Sequence, residues 1–298
     1  YMKKICLIGS NGFIGKNIYE KLKLNEHLKI TRFSSFKNKF EDEVNNLEFD
    51  TMIFCAGIHP NIDSNNQKTI FESKKIIRNC RSLFLKSKNI IFFSSYLTLF
   101  ETSKSIIDEN NKYDFYKYEN EYGKSKIILE KFFLKFCKYF KKDYLILCPT
   151  HVIGPNDPKI NPNNKFLLDI EKKKIILFPD VYIPLVDVRN IANFVEKAVF
   201  KEKLGKKKII INDQSIKLSK YIYSIKHKSF YLIIPINRKL ILYINKLLNI
   251  FNYQILNRRR IKYIELNPFV KKDTLNINFN LDETINDTKR FFKNRKDE

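Results

Sequence analysis

The chain has 298 residues and is 44% apolar, enough for a core in one large or two modest domains, which excludes an intrinsically disordered protein. No stretch approaches the roughly 18 uncharged apolar residues of a membrane span, and the N-terminal apolar run is too short for a signal peptide. The net charge of +24 is uneven, because residues 201–298 carry 23 Lys and Arg against 9 Asp and Glu.

The first predicted elements surround a glycine-rich loop. Residues 4–8 are an apolar run typical of a buried strand; a helical repeat of apolar residues and a second strand at 28–31 follow. Gly9, Gly12 and Gly15, three of only seven glycines, lie between strand and helix. In a Rossmann-type unit such glycines allow a tight turn, approach to a pyrophosphate and close helix packing. The loop predicts a dinucleotide site rather than a turn that binds nothing, with these contacts: Gly9, Asn11, Gly12, Phe13, Ile14 and Gly15.

The end of the second strand indicates which dinucleotide binds. Asp or Glu here holds the ribose 2′-OH of NAD, whereas Arg accommodates the 2′-phosphate of NADP. Residues 30–35 contain no acid, so Arg32 predicts NADP(H), with NAD still possible. A solvated surface arginine is the alternative. Nearby side chains that could assist the phosphate contact are Ser34, Ser35 and Lys37.

The next predicted strand, residues 50–57, ends in Ala56 and Gly57, small residues that let a cofactor lie against the carboxyl edge of the sheet. It follows the second strand so closely that the usual third Rossmann strand is predicted to be short or missing. A helix is predicted over residues 69–85 and another strand over 89–95, which ends in two serines.

The chemistry is predicted at the start of the following helix. Tyr122 and Lys126 lie four residues apart, on one face of a helix whose apolar positions continue to Phe136. A free tyrosine has a pKa of about 10, and a neighbouring ammonium lowers it by favouring the phenolate. Tyr122 is therefore a candidate general acid/base, and Lys126 a candidate pKa tuner and ribose ligand.

These motifs resemble the extended short-chain dehydrogenase/reductases of the NAD(P)-dependent epimerase/dehydratase family. The resemblance covers nearly the whole chain, at residues 9–15, 56–57, 94–95, 122–126, 148–155, 186–192 and 281–285. It implies an α/β fold, a Rossmann-type doubly wound parallel sheet with a smaller C-terminal substrate-binding domain. Residues 1–150 would form the NAD(P)-binding domain, and residues 151–298 mostly the substrate-binding region, interleaved with the last strands and helices of the first.

The family resemblance also implies a catalytic set of Ser/Thr, Tyr and Lys. Ser95 would polarise the substrate oxygen, but alignment on Leu99 and Phe100 would put Tyr96 in that position, so the serine role stays open among Ser94, Ser95 and Tyr96. Tyr96-Leu97 replaces the Asp-Glu of the family's sugar dehydratases, which argues against a 4,6-dehydratase. Pro149 would face the nicotinamide amide, with Tyr96, His151 and Asn164 as substrate contacts.

Four functions remain open at this point. The first is an NADP(H)-dependent reductase of a keto group on a nucleotide-activated sugar, with a 6-deoxy sugar for surface polysaccharide as the first candidate. The runner-up is a nucleotide-sugar 4-epimerase that retains NAD+. A reductase of a small uncharged ketone is the third. A catalytically degenerate NADP(H)-binding sensor or scaffold is the fourth, and the displaced serine favours it.

The remaining features concern partners. The excess charge fits compositional bias or an anionic substrate, and predicts only nonspecific binding to nucleic acid. Residues 235–251 form a basic amphipathic helix that packs on its own domain or contacts a membrane surface, and Arg258 to Arg260 could clamp a diphosphate. The five cysteines lack metal-ligand spacing, which predicts buried thiols, no metal site and a cytoplasmic protein. Family resemblance implies a homodimer through the helices that carry Tyr122.

Overall fold

The structure, a computed structural model, describes residues 2–33, 47–57, 66–101, 104–113, 121–226, 232–250, 256, 258–271 and 279–295. Its centre is a sheet of six parallel strands: β1 (Lys3–Ile8), β2 (Leu28–Phe33), β3 (Phe49–Phe54), β4 (Ser87–Phe93), β6 (Asp143–Pro149) and β10 (Lys207–Ile211). Their spatial order is β10-β6-β4-β3-β1-β2. The predicted doubly wound parallel sheet is confirmed.

The chain order reverses at β1, because β2 lies on one side of it and β3 on the other. Ligands of open α/β sheets bind at the carboxyl ends of the strands beside such a reversal. The prediction of a short or missing third Rossmann strand falls on residues 34–46, which lie outside the described residues.

Helices cover both faces of this sheet because its strands alternate two apolar sets. On one face, Ile5 and Leu7 pack with Ile18 and Val195. On the other face, Ile8 packs in one cluster with Phe84 and Phe133. The helices are α1 (Phe13–Leu22), α2 (Asn66–Asn79), α3 (Arg81–Leu85), α4 (Glu121–Tyr139), α5 (Pro162–Lys172), α6 (Val188–Val199), α7 (Leu218–Lys226), α8 (Arg238–Ile250), α9 (Arg258–Leu266) and α10 (Leu281–Asn294).

A second, smaller core lies in the C-terminal half, where α5, α7 and α10 pack around residues such as Leu167, Ile222 and Ile285. Its small sheets pair the remaining strands: β7 (His151–Ile153), β9 (Tyr182–Asp187) and β11 (Gln214–Lys217); β8 (Ile175–Pro179) and β12 (Leu232–Ile236); β5 (Ile106–Ile107) and β13 (Phe269–Val270). Strand β10, although late in the chain, joins the large sheet beside β6.

Several boundaries differ from the sequence prediction: β3 ends at Phe54, before Ala56 and Gly57, and residues 235 and 236 belong to β12, so that α8 begins at Arg238. The helix expected over residues 69–85 is two helices, because Cys80 leaves helical geometry between them at φ −87° and ψ 7°. Strand β4 ends at Phe93, so Ser94 and Ser95 follow the strand rather than close it.

Of the five free thiols, Cys55 is half-buried and the others are buried. Within the described ranges, no helix is long and apolar enough to cross a bilayer, and no cluster of His, Cys, Asp or Glu could hold a metal ion.

Candidate active site

The loop between β1 and α1 requires glycine at two positions. Gly9 has a φ of +86°, and a Cβ there would lie 2.9 Å from the backbone nitrogen of Ala56. A Cβ on Gly15 would lie 2.1 Å from the carbonyl oxygen of Gly9, because the first turn of α1 packs directly on the loop. The loop therefore holds the N-terminus of α1 at the carboxyl edge of the sheet, beside Ala56.

The N-terminus of α1 can donate backbone hydrogen bonds to a ligand. Its N-cap residue, Gly12, supplies no side-chain acceptor, and its first turn carries no acid. The Ser10 hydroxyl is buried and has no hydrogen-bond partner in the part of the chain that the structure describes. Backbone N–H groups at a helix N-terminus attract anions, so these residues fit a dinucleotide pyrophosphate. The other predicted contacts here are Asn11, which is exposed, and Phe13 and Ile14, which are half-buried.

Arg32 lies at the carboxyl end of β2, in register with Leu7 on β1. It is exposed, and its guanidinium carbon lies 4.0 Å from the centre of the Tyr19 ring on α1. This cation–π contact holds the guanidinium against α1, the helix that follows the glycine loop. The proposed helpers Ser34, Ser35 and Lys37 lie outside the described residues.

The Lys126 ammonium reaches the carboxyl ends of β3 and β4. Its Nζ donates to the Phe93 carbonyl oxygen at 3.4 Å and lies 2.9 Å from where a Cβ on Gly57 would be. The centre of the Tyr122 ring, one turn earlier on α4, is 5.7 Å from Nζ. Burial raises the pKa of the Cys55 thiol, and the nearby Lys126 charge opposes that rise. Because β3 pairs with β1, this pair and the glycine loop occupy one edge of the sheet.

Three consecutive hydroxyl groups follow β4, and each has a different environment. Ser94 Oγ donates to the Glu130 carboxylate. The Tyr96 hydroxyl bonds to His151. Ser95 Oγ accepts from the Leu97 N–H at 3.3 Å and caps the short 3-10 helix Tyr96–Leu99, while its own proton has no acceptor among the described residues. Of the three, Ser95 is the one with a proton to donate to a substrate oxygen.

A buried ionic cluster beneath Ser94 was not predicted from the sequence. The Glu130 carboxylate accepts from Lys208 Nζ at 2.8 and 3.0 Å, and Lys208 also donates to Thr98 Oγ1 at 2.9 Å. Glu130 follows Lys126 by one further turn, so Tyr122, Lys126 and Glu130 occupy one face of α4. This four-residue spacing was the sequence signal that could have pointed to Glu130. The partners of Glu130 come from β10 and from the segment after β4, far away in sequence.

Tyr96 and His151 connect the end of β4 to the C-terminal half. His151 Nδ1 lies 3.0 Å from the Pro184 carbonyl, which only accepts, so the neutral ring carries its proton on Nδ1. Nε2 then accepts from the Tyr96 hydroxyl at 3.2 Å. Tyr96 is buried and His151 half-buried. The two predicted substrate contacts, Tyr96 and His151, therefore bond to each other.

Asn164 lies apart from this group. It is fully buried; its Oδ1 accepts from the Gly154 N–H at 3.2 Å, and its Nδ2 donates to the Gly154 carbonyl and to Asp157. A direct contact with a substrate would require these bonds to be exchanged. Pro149, in contrast, ends β6 at the carboxyl edge of the large sheet, the edge that also bears the glycine loop. The side chains of Arg258 and Arg259, part of the predicted diphosphate clamp, lie outside the described residues.

Residues 5–212 match the model of the NAD dependent epimerase/dehydratase family. The chain belongs to this family. It is an NAD(P)-dependent enzyme of the extended short-chain dehydrogenase/reductase type, as predicted from the glycine loop and the Tyr122–Lys126 pair. No curated protein matches the sequence.

Solved structures share the fold over nearly the full length of both chains. The structure called gox2253 has a TM-score of 0.76 at 16% identity and covers 99% of each chain. UDP-N-acetylglucosamine 4-epimerase from Methanobrevibacter ruminantium M1, in complex with UDP-N-acetylmuramic acid, has a TM-score of 0.70 at 16% identity, with 99% of each chain covered. RMD from Pseudomonas aeruginosa, complexed with NADPH, has a TM-score of 0.69 at 12% identity, covering 99% of this chain and 98% of RMD.

Proposed function

We propose that the protein is an NADP(H)-dependent reductase of a keto group on a nucleotide-activated sugar. The observation that carries the proposal is the buried Lys126 ammonium beside Gly57 and the Phe93 carbonyl, with Tyr122 one turn away on the edge that bears the glycine loop. Arg32 supports NADP over NAD, because it supplies a cation at the strand end where NAD enzymes use an acid.

The chain's own residues handle the oxygen of the reacting carbonyl. Tyr122 gives its hydroxyl proton to that oxygen as the ketone becomes an alcohol. Lys126 stabilises the negative charge left on the Tyr122 oxygen, and Ser95 donates a hydrogen bond to the carbonyl oxygen. NADPH, when bound, supplies the hydride to the carbonyl carbon. No proton has to come from bulk water during the transfer itself.

A nucleotide sugar is the proposed substrate class. A fold relative, the epimerase from Methanobrevibacter ruminantium M1, was solved with a UDP-sugar. The excess of Lys and Arg over Asp and Glu in residues 201–298 attracts a diphosphate. A 4-keto-6-deoxy sugar is the first candidate, and synthesis of surface polysaccharide is the proposed role of the product.

The test is oxidation of NADPH by purified protein with a panel of nucleotide-linked keto sugars. We expect stoichiometric oxidation, and Tyr122→Phe to lower kcat by about 10²- to 10⁴-fold while NADPH still binds, because only the proton donor is removed. Tyr139→Phe, on the exposed end of the same helix, is the matched control and should leave kcat unchanged.

Two outcomes would contradict the reductase. Protein that purifies with NAD+ and interconverts sugar isomers without added reductant is a 4-epimerase, which uses the same residues. Protein that binds NADPH tightly but reduces no keto sugar is the sensor or scaffold that the displaced serine first suggested. Unchanged turnover in Tyr122→Phe would refute the catalytic assignment in either enzyme.

A further inference from the structure

The small sheet of β8 and β12 exposes an apolar face. Ile175 and Leu177 are 63% and 62% exposed, while Ile176 and Phe178, which alternate with them, are buried in the C-terminal core. Leu232 pairs with Ile175 and Ile234 with Leu177, and both β12 residues are also exposed. Since side chains alternate along a strand, these four apolar side chains share one solvent-facing surface.

Helix α8, which begins two residues after β12, adds a second apolar surface. Leu240, Tyr243, Ile244 and Leu247 recur at spacings of three and four residues, so they form one stripe, and all four are exposed. The opposite side of the helix faces the protein, where Asn245 is buried and accepts from the Leu256 N–H. Ile241, Leu242 and Leu248 on that side are half-buried, so α8 is apolar on both sides and its outer stripe is additional to the one that its own packing uses.

Basic residues border both surfaces. Three exposed lysines, Lys172 to Lys174, lead directly into Ile175, and the Lys174 carbonyl accepts from the Leu232 N–H at 2.8 Å. Lys239 and Lys246 are exposed beside the α8 stripe. Residues 226–271 as a whole contain ten Lys and Arg and one acid, Glu265. An apolar surface bordered by cations complements the anionic headgroups and acyl chains of a lipid bilayer.

We infer that the exposed faces of β8, β12 and α8 form a peripheral binding surface for an anionic membrane. The apolar side chains insert at the boundary between headgroups and acyl chains, and the lysines contact the headgroups. Docking of a second copy on this surface would bring two strongly basic surfaces together, which electrostatic repulsion opposes. Nucleic acid would use the lysines but would gain nothing from the apolar side chains.

Flotation with lipid vesicles tests the inference on the full chain. We expect the protein to float with vesicles of phosphatidylcholine and phosphatidylglycerol, to remain behind with phosphatidylcholine alone, and to be released partly by high salt. Absence of binding to the anionic vesicles at low salt would overturn the inference.

Two groups of variants separate the apolar and ionic contributions. Leu240→Gln/Leu247→Gln keeps every charge, and Lys172→Gln/Lys173→Gln/Lys174→Gln keeps every apolar side chain. Each should lower the vesicle partition coefficient by about tenfold or more, because the first variant removes two apolar side chains that insert into the bilayer and the second removes three cations that contact the headgroups. The matched control Leu24→Gln, exposed elsewhere on the molecule, should bind as the wild type does.

The remaining outcomes are decisive too. Loss of binding in the lysine variant but not in Leu240→Gln/Leu247→Gln would mean nonspecific charge attraction and would overturn the inference. A dimer would also overturn the inference if light scattering detects it, if Leu240→Gln/Leu247→Gln dissociates it, and if the dimer does not bind vesicles. Circular dichroism should show that each variant is folded, and activity on a soluble substrate should be unchanged, which keeps this test separate from that of the proposed reductase.

Discussion

Hydrogen bonding distinguishes the three hydroxyl groups after β4 from one another. Ser94 and Tyr96 direct their hydroxyls to Glu130 and His151, respectively. Ser95 receives a hydrogen bond from Leu97 N–H, which polarises its own O–H bond for donation. The position of a residue relative to a family motif is therefore less informative here than what its oxygen already bonds.

Ser95→Ala is expected to lower kcat by about 10²-fold, because it removes one donor to the developing alkoxide, with a smaller effect on KM. Tyr96→Phe, its neighbour, should stay within about tenfold of the wild type, since it keeps the buried ring and loses the hydroxyl that bonds to His151. Steady-state kinetics with NADPH and the keto sugar measure both. If Tyr96→Phe suffers the larger loss in kcat, the orienting hydroxyl belongs to Tyr96.

Arg32→Ala should reduce kcat/KM for NADPH by about 10- to 100-fold and leave the value for NADH nearly unchanged, because the lost interaction is a charge-assisted bond to the 2′-phosphate. Lys29→Ala removes an exposed cation near the other end of β2 and serves as the control. An equal loss with both coenzymes would assign Arg32 to support of α1 through Tyr19 instead.

Helix α4 carries the proposed catalytic pair, Tyr122 and Lys126, and then Glu130 on three successive turns. The last of these is buried and binds both Lys208 on β10 and Ser94, next to Ser95. The Glu130 carboxylate thereby connects α4, the segment that follows β4, and the edge strand β10. We regard Glu130 as a positioning residue, since it touches Ser94 rather than the reacting atoms.

Glu130→Ala should lower the free energy of unfolding by about 3 kcal/mol, because Lys208 loses its carboxylate in a partly buried site. The double variant Glu130→Met/Lys208→Met should recover much of that loss, since no unpaired charge is then buried. Urea unfolding of the full double-mutant cycle measures both effects. Glu196→Ala, which breaks the surface pair with Lys21, is the control and should cost no more than about 1 kcal/mol. Additive losses in the cycle would show that the two side chains are not coupled.

Local patterns predicted the elements well where the physics is local. The glycine loop, the Tyr122–Lys126 spacing and the apolar strands were readable because each depends on residues within one or two turns of chain. Glu130 with Lys208 was missed because the partners are 78 residues apart and neither has a distinctive motif. Asn164 was predicted as a substrate contact from its neighbours in sequence, and those cannot reveal that Gly154 and Asp157 occupy its amide.

At the scale of the whole molecule, ionic contacts join the separate cores. Arg189 on α6 binds Asp187, the N-cap of its own helix, and Asp287 on α10, while Thr284 also donates to Asp187. These bonds raise the pKa of Arg189, chiefly through hydrogen bonding to Asp187. The C-terminal helix is thereby fixed to the end of β9 and to α6, which packs on a face of the large sheet.

Buried thiols make the fold sensitive to alkali. Burial raises the pKa of Cys80 and Cys148 from 9.0 to about 12. Their contribution to stability is complete below pH 9.0 and is lost as pH rises towards the folded pKa, because only the unfolded chain then releases the proton. Each thiol should lower the free energy of unfolding by about 1.4 kcal/mol per pH unit above 9.0. Urea unfolding at pH 8 and at pH 10 measures this, and equal values at the two would contradict it.

The bond from Tyr96 to His151 makes the two positions interdependent for engineering. Replacement of Tyr96 by threonine would remove a buried ring and the phenol hydroxyl that bonds to His151. Tyr96→Thr alone is thus expected to score poorly in a mutational screen, even where a matched change at position 151 would make it tolerable. Libraries aimed at a new sugar specificity should vary both sites together, because the favourable combinations are epistatic.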